Sequence, residues 1–362
     1  MSSGEEIKLN TSEATPCSSC GGAMTYKPSA QALVCEYCGT VKEIEQGTKD
    51  LNEHDFASFM ESYEKESFST TKVVECSSCH ATSTVDENLK SMACPYCANP
   101  LVEQDIHEER YIKPEYVSPF AVDRNQVSGI LQKWIKDLWF APNKIQRGIF
   151  SADNLRGVYV PFWTYDMQTH TDYRGERGDA YYVTVGSGDN KRRERRVSWS
   201  RVSGRVSNFY DDILVTGSKT LKMDLLNSIS TGWDPKGVQK IKPDYLSGFI
   251  TEKYQVDLKE GYDKARDIVY QYERESVRRN IGGDEQRIHN MNTDLSYITF
   301  KHILLPLYVS SFSYGNKQYT FYVNGVTGRI TGERPYSTWK IAFACFIGLL
   351  ILIFLVYLFK DA

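Results

Sequence analysis

Eight of the nine cysteines fall into two clusters of four, and their spacing is that of a metal site. Each cluster consists of two C-x-x-C pairs with fourteen residues between them. The first contains Cys17, Cys20, Cys35 and Cys38, and the second contains Cys76, Cys79, Cys94 and Cys97. Four thiolates form a soft tetrahedral set that suits Zn²⁺, and a closed set leaves no position for water or substrate. The spacing therefore predicts two structural zinc ions.

The two clusters form an internal repeat. They are in register at an offset of 59 residues, and both place Ser-Ser between the first two cysteines. A duplicated zinc ribbon is the simplest account of such a repeat. A rubredoxin-like iron site and reversible disulfides are the alternatives, although rubredoxin usually has a longer spacing between its pairs. His80 follows Cys79 and could replace a ligand, but four cysteines already complete the set.

The thiols are expected on the reducing side of a membrane. The first twenty residues are polar and lack the apolar core of a secretory signal. Residues 341–359 contain no charge, and these nineteen residues would span ~28 Å as a helix, close to the ~30 Å of a bilayer's hydrocarbon layer. Trp339, Lys340, Tyr357 and Lys360 flank the run as interface residues do. We therefore expect a single-pass, tail-anchored protein of the cell membrane, with its N-terminal domains in the cytoplasm.

Helical and strand patterns alternate between the cysteine clusters and the apolar run. A helical stripe ends near Pro142, a long hairpin turns at residues 186–190, and a second helix follows Asp257. We expect two N-terminal zinc ribbons, an α+β domain of unnamed fold and one C-terminal transmembrane helix. The predicted units are a disordered tail at 1–14, ribbon 1 at 15–40, an acidic helical linker at 41–72, ribbon 2 at 73–105, the α+β domain at 106–338 and the membrane anchor at 339–362.

The chain as a whole is not built to bind polyanions, because its net charge is −3 and its pI is about 6.1. A local basic run could still contact anionic lipid or nucleic acid. It consists of Lys191, Arg192, Arg193, Arg195, Arg196, Arg201 and Arg205. The simpler interpretation, which we favour, is a solvated hairpin whose charges protect an exposed edge. The apolar alternation changes phase within the run, which predicts a β-bulge near Arg201.

No catalytic signature is present in the sequence. The H-E-x-x-H, G-x-S-x-G and Walker A patterns are all absent. Gly186-Ser187-Gly188 lacks the third glycine of a dinucleotide-binding loop and lies in a predicted turn. We therefore expect that the protein is not an enzyme.

Several segments resemble one bacterial family. The cysteine clusters, Gly157–Asp166, Val202-Ser203-Gly204 with Asp211-Asp212, and Phe321–Gly325 together are similar to the YdjG-like, membrane-anchored double zinc-ribbon proteins. Members of that family are often labelled primosomal protein N′-like or phage replisome organiser. The resemblance implies a membrane-linked stress or scaffold role, with a partner of the phage-shock, coiled-coil kind. A replicative helicase would need phosphate-binding motifs, which this sequence lacks.

Two functions follow as expectations. The first is a membrane-anchored zinc-ribbon adaptor or scaffold that recruits a cytoplasmic protein partner, in an envelope stress response of the phage-shock kind. The second is a membrane-tethered nucleic-acid-binding protein associated with replication. The sequence leaves open the partner, the oligomeric state and the role of residues 106–338.

Overall fold

The protein is mostly β-sheet. A computed structural model describes residues 15–45, 51–63, 70–84, 91–97, 99–102, 106–146, 155–315 and 317–359. The tail at 1–14, predicted to be disordered, lies outside them. Within the described residues, a nine-stranded sheet is accompanied by two three-stranded sheets and one two-stranded sheet.

The elements follow the chain in this order. The strands are β1 (Met24–Lys27), β2 (Ala32–Cys35), β3 (Val41–Glu43), β4 (His54–Asp55), β5 (Thr70–Glu75), β6 (Thr82–Thr84), β7 (Ser91–Ala93), β8 (Pro100–Val102), β9 (Ile106–Arg110), β10 (Tyr116–Val117), β11 (Arg156–Val185), β12 (Arg192–Thr216), β13 (Gln239–Lys240), β14 (Ile250–Thr251), β15 (Glu285–Tyr314), β16 (Lys317–Asn324) and β17 (Ile330–Gly332). The helices are α1 (Phe56–Tyr63), α2 (Arg124–Lys136), α3 (Asn143–Gln146), α4 (Met223–Ser230), α5 (Pro243–Leu246), α6 (Leu258–Ile281) and α7 (Thr338–Phe359), with 3₁₀ turns at Gly188–Asn190 and Pro235–Gly237.

The nine-stranded sheet is built around β11 and β15, which are thirty residues long each. Its central order is β12-β11-β15-β10-β13, with β14 on β11, β4 and β16 on β15, and β17 on β16. Strand β11 pairs antiparallel with both β12 and β15, whereas β10 is parallel to β15. At about 3.3 Å per residue, a thirty-residue strand is roughly 100 Å long, several times the ordinary length.

Strand β11 passes through two environments. Residues 158–167 are buried on both faces, with Val158 and Phe162 in one core cluster and Tyr159 in the cluster opposite. Residues 169–175 alternate between buried and exposed, as expected for a strand covered on one face only. The first half of the strand therefore lies in the core of the body, and the second half extends beyond the body.

Helix α6 covers that second half. It begins at Asp257, whose side chain accepts a 2.7 Å hydrogen bond from the backbone N–H of Glu260, and it ends at Gly282 in a positive-φ conformation. A stripe along one side of the helix is buried against the sheet: Leu258, Gly261, Ala265, Val269, Glu273, Val277 and Ile281. Gly261 allows close approach, because a Cβ there would lie 2.5 Å from the hydroxyl of Tyr165.

The part of the sheet beyond the body forms a projection that we call the arm. It comprises residues 168–185, 192–210 and 285–298 as three strands in the order β12-β11-β15. Strand β15 begins opposite Gly178, so beyond that residue only the hairpin continues. We call this two-stranded end, residues 179–185 and 192–198, the tip. Helix α6 reaches Gly175, where a Cβ would lie 3.2 Å from the Ile281 side chain.

The prediction of an α+β domain is wrong, because the chain between the ribbons and α7 is dominated by β-strands. Strand β15 begins at Glu285. Residues 285–298 are largely polar, and their apolar residues Ile288, Met291, Leu295 and Ile298 recur at intervals of three and four, which is a helical spacing and not that of a strand. They are extended because their backbone groups pair with β11.

The prediction of a C-terminal transmembrane helix is also corrected, and with it the single-pass location in the cell membrane. No helix among the described residues combines the length and the apolar character that crossing a membrane requires.

The bulge predicted near Arg201 does not form. Pairing between β11 and β12 shifts register between Tyr165 and Met167, and from there it continues unchanged to Val185. The change of apolar phase has another cause. Val202 and Val206 face α6, whereas Trp199 lies on the opposite face, beneath the guanidinium of Arg287 at 3.8 Å from the ring centre. The phase therefore changes where α6 ends and a different layer covers the sheet.

One carboxylate lies within the buried stripe of α6. Glu273 has no exposed surface and accepts hydrogen bonds from four side chains of the arm. These donors are Thr169 at 2.5 Å, Thr171 at 2.8 Å, Asn208 at 2.8 Å and Tyr210 at 2.9 Å. Burial alone would raise the pKa of Glu273, but these hydrogen bonds outweigh it and lower the pKa. Glu273 therefore joins helix and sheet as a charged group.

Replacing Glu273 with Ala should destabilise the protein by about 2–4 kcal/mol, because four donors lose their acceptor in a buried layer. Glu275→Ala is the matched control, since Glu275 makes only a surface pair with Arg278 and its loss should change little. The folded-state pKa is lowered, so the contribution is fully present above the unfolded pKa of about 4.3 and is lost progressively as the pH falls from there through the lowered folded-state pKa. Denaturant unfolding at pH 7 and at about pH 3 measures both effects. Equal effects of the two variants would contradict the assignment.

Candidate metal centres

The first cysteine cluster lies at one end of the small sheet β1-β2-β3. The Sγ atoms of Cys17 and Cys38 are 3.5 Å apart, as are those of Cys20 and Cys35, and all four lie within 4.8 Å of one another. Tetrahedral ligands at 2.3 Å from an ion would be separated by about 3.8 Å, so this arrangement fits a four-coordinate metal. Gly21 and Gly39, with φ of 73° and 74°, close the two turns that present the sulfurs.

The second cluster repeats this geometry. Cys76 and Cys97 have their Sγ atoms 3.5 Å apart, as do Cys79 and Cys94, and the four again lie within 4.8 Å of one another. His80 occupies the position that corresponds to Gly21, with φ of 59°. Its ring is turned to Glu75, with Nδ1 2.7 Å from the carboxylate, so it is a turn residue and is not among the four grouped ligands. Each cluster can therefore hold one metal ion.

The sulfur atoms are not equivalent without a metal. The hydrogen bond from Cys79 is the main cause that lowers the pKa of Cys94 to about 5, while the same contact raises the pKa of Cys79. In the first cluster, a hydrogen bond from the backbone N–H of Ser19 is the main cause that lowers the pKa of Cys17 to about 6. One cysteine thus ionises readily to a thiolate, and its negative charge opposes ionisation of the neighbouring cysteine. A divalent cation would remove this competition and allow four thiolates together.

Both ribbons are built into the body of the protein. Cys76 and Cys94 belong to the core cluster that contains Val158, and the hydroxyl of Tyr96 donates to the buried carboxylate of Glu252. Ser218 also donates to Glu252, at 2.6 Å. The first ribbon joins the opposite cluster through Cys17, Met24, Tyr26, Leu33 and Cys35, and Tyr26 donates to the carbonyl of Phe120 at 3.0 Å. The metal ions would therefore stabilise the body as well as the ribbons.

A third group of residues that could bind a metal already surrounds the ammonium group of Lys301. Carboxylate atoms of Glu53, Asp166 and Asp212 lie close enough to hold a cation. The ammonium of Lys301 is 2.7 Å from Glu53 and 2.8 Å from Asp212, and its side chain is 3% exposed. Burial lowers the pKa of Lys301, but the two carboxylates outweigh it and raise the pKa. This cluster is therefore a buried ion-pair network, and its members are too far apart in sequence to have been predicted.

The seven basic residues predicted to contact anions all lie on or next to β12, but they do not form a single patch. Successive residues of a strand point to opposite faces, so the run divides between the two sides of the arm. Three of the arginines have acidic partners: Arg195 with Glu285 at 2.6 Å, Arg196 with Glu194 at 3.3 Å and Arg205 with Asp172 at 2.7 Å. Arg193 lies over the ring of Tyr182, at 5.0 Å. Among the described residues, Lys191, Arg192 and Arg201 form no ion pair.

Cys94→Ser should lower the metal content from about two ions to about one and destabilise the whole protein. Its sulfur belongs to the main core, and metal binding supplies much of a ribbon's folding energy. Cys20→Ser should also remove one ion, but it should lower the melting temperature less because Cys20 is exposed. Cys345→Ser, outside both clusters, should change neither value. Elemental analysis and thermal unfolding measure these effects, and an unchanged metal content in Cys94→Ser would refute the assignment.

Comparison with known proteins finds a relative in Bacillus subtilis. No family model matches the chain, and no solved structure matches it. The uncharacterized protein YdjG of Bacillus subtilis strain 168 is 25% identical over 259 residues, which cover 66% of this chain and 68% of the relative. The chain is thus similar to YdjG over two thirds of its length, in agreement with the resemblance described above. The name of this relative states no function.

Proposed function

We propose that this protein is a non-catalytic adaptor, in which two zinc ions stabilise the body and the arm binds a protein partner. The arm is the observation that carries the proposal. Residues 168–185 alone would extend by up to roughly 60 Å at about 3.3 Å per residue, and that length adds little to the shared core of the body. Such a projection suits recognition of a large partner.

The metal ions are proposed to be zinc. Each cluster offers four sulfurs and no further ligand, which is the donor set of a structural zinc site. The sequence predicts that the ribbons recruit the partner. However, four of their eight cysteines are buried: Cys17, Cys35, Cys76 and Cys94. Their packing against the two core clusters supports a structural role for the ions. The proposal therefore assigns recognition to the arm and stability to the metal.

Purified full-length protein should contain about two zinc ions per chain and little iron. Elemental analysis together with the visible absorption spectrum decides this. Iron-thiolate sites are coloured and redox-active, whereas zinc-thiolate sites are colourless. A red protein with iron in both sites would overturn the zinc assignment and favour an electron-transfer role.

A coiled-coil protein of the phage-shock kind remains the proposed partner class, on the strength of the resemblance alone. Nucleic-acid binding remains the alternative, and Lys191, Arg192 and Arg201 would carry it. The acidic partners of Arg195, Arg196 and Arg205 reduce the positive charge that such binding would use. We therefore place protein recognition first.

Replacing residues 179–198 with an Asn-Gly turn should leave folding and metal content unchanged, because the tip lies beyond both β15 and α6. Crosslinking in living cells followed by mass spectrometry should then lose the partner captured by the intact chain. Tyr37→Ala is the matched control for the ribbons, since Tyr37 is 83% exposed on the first of them. Loss of the partner with Tyr37→Ala, and its retention with the shortened arm, would assign recognition to the ribbon instead.

A further inference from the structure

The outer edge of β12 is a long row of unpaired backbone groups. Among the described strands, β12 pairs only with β11, which leaves its other side open. At the end nearer the body, the 3₁₀ turn Pro235–Gly237 adjoins the strand, where Lys236 pairs with Asp211. The free edge therefore runs from Arg192 to Asn208. An open edge of this length is a template for another strand.

The charge of this edge decides which strand it can accept. Residues 192–208 contain six arginines and one glutamate. A second copy pairing edge to edge would bring two such strands together, and in a pairing centred on Ser200, Arg195 would lie opposite Arg205. Like charges directly opposite destabilise a strand pair. The arginines therefore oppose self-association. Arg192 and Arg201, which form no ion pair among the described residues, favour an acidic strand.

Helix α6 lies beside this edge and forms one side of a groove. A shallow groove is lined by Arg205, Val206, Ser207 and Asn208 of the strand and by Ser276, Arg279 and Asn280 of the helix. Arg279 is exposed on the helix side. Arg201 and Arg205 lie on the other face of the strand, where Arg205 already pairs with Asp172 and Arg201 forms no ion pair among the described residues. An extended segment in this position would have cations available to its side chains on both faces.

We propose that the outer edge of β12, from Arg192 to Asn208, binds an extended acidic segment of a protein partner by β-strand addition. This inference rests on the proposed adaptor function and names the chemistry of its partner. The main-chain amides of the segment pair with the edge, and its carboxylates meet the arginines. A nucleic acid satisfies the edge less completely, because its phosphates accept hydrogen bonds but offer no donors to the open carbonyl groups.

The probe is a fluorescein-labelled twelve-residue peptide of alternating Glu and Thr, titrated with the full-length protein at physiological salt. The same peptide with Lys in place of Glu should bind at least ten-fold more weakly. Two further versions carry N-methyl groups on every Glu amide or on every Thr amide. Since an added strand pairs through alternate amides, at least one of these should also bind at least ten-fold more weakly.

Two variants of the protein test the site. Arg192→Ser with Arg201→Ser should weaken binding about ten-fold, and neither change breaks an ion pair of the described residues. Arg329→Ser with Arg334→Ser removes the same charge from the body and should leave the affinity unchanged. Both variants should keep the wild-type circular dichroism spectrum and metal content.

Three results would overturn the proposal. They are equal binding of both N-methylated peptides and the parent, stronger binding of a twelve-nucleotide single strand or of phosphatidylserine vesicles than of the peptide, and no peptide binding by a folded, metal-loaded protein. The last result combined with partner loss in the shortened-arm variant would leave the adaptor function standing and remove strand addition alone. Retention of the partner by that variant would instead count against the adaptor function itself.

Discussion

The structure depends on β11 being paired on both sides. This strand lies between β12 and β15 over most of its length, and its first half separates the two largest core clusters. Residues 158–167 have no exposed face, so their backbone groups must all be satisfied within the sheet. The same pairing continues past the body into the arm, where β15 remains extended although most of its residues are polar. One continuous strand therefore connects core and arm mechanically.

The two cysteine clusters lie on opposite sides of this strand. The second shares a core with Val158, Phe162 and Tyr322, and the first shares one with Tyr159, Phe120 and Leu304. The loss of either ion would open a ribbon and also expose part of the layer that covers β11. A buried contact, from Tyr96 to Glu252, ties the second ribbon to the segment that follows α5. The ribbons are thus two outer layers of one folded body.

The arm has exposed strand edges, which can bind a partner but can also cause aggregation. Among the described residues, its outer strands β12 and β15 each leave one edge open, and open edges tend to pair with other chains. On β12, the arginines oppose pairing with the same edge of another copy of the chain. On the covered face, Glu273 and its four donors hold α6 in place through polar contacts where an apolar stripe would be expected. A satisfied polar layer requires specific partners, which fixes the position of α6 on the sheet.

The sequence by itself determined the local features. Cysteine spacing set the two quartets, the Asp257 cap set the start of α6, and glycine-rich residues set the hairpin turn, because each depends on neighbours a few residues away. Tertiary structure decided the rest. Tyr37 and Tyr96 occupy equivalent positions in the repeat, yet one is 83% exposed and the other 6% exposed, because only the second ribbon places this residue against the core. The Lys301 network joins residues up to 248 positions apart, and β15 is a strand from Glu285 only because β11 lies beside it. Such contacts have no local signal, since backbone pairing and burial depend on partners that the sequence pattern does not name.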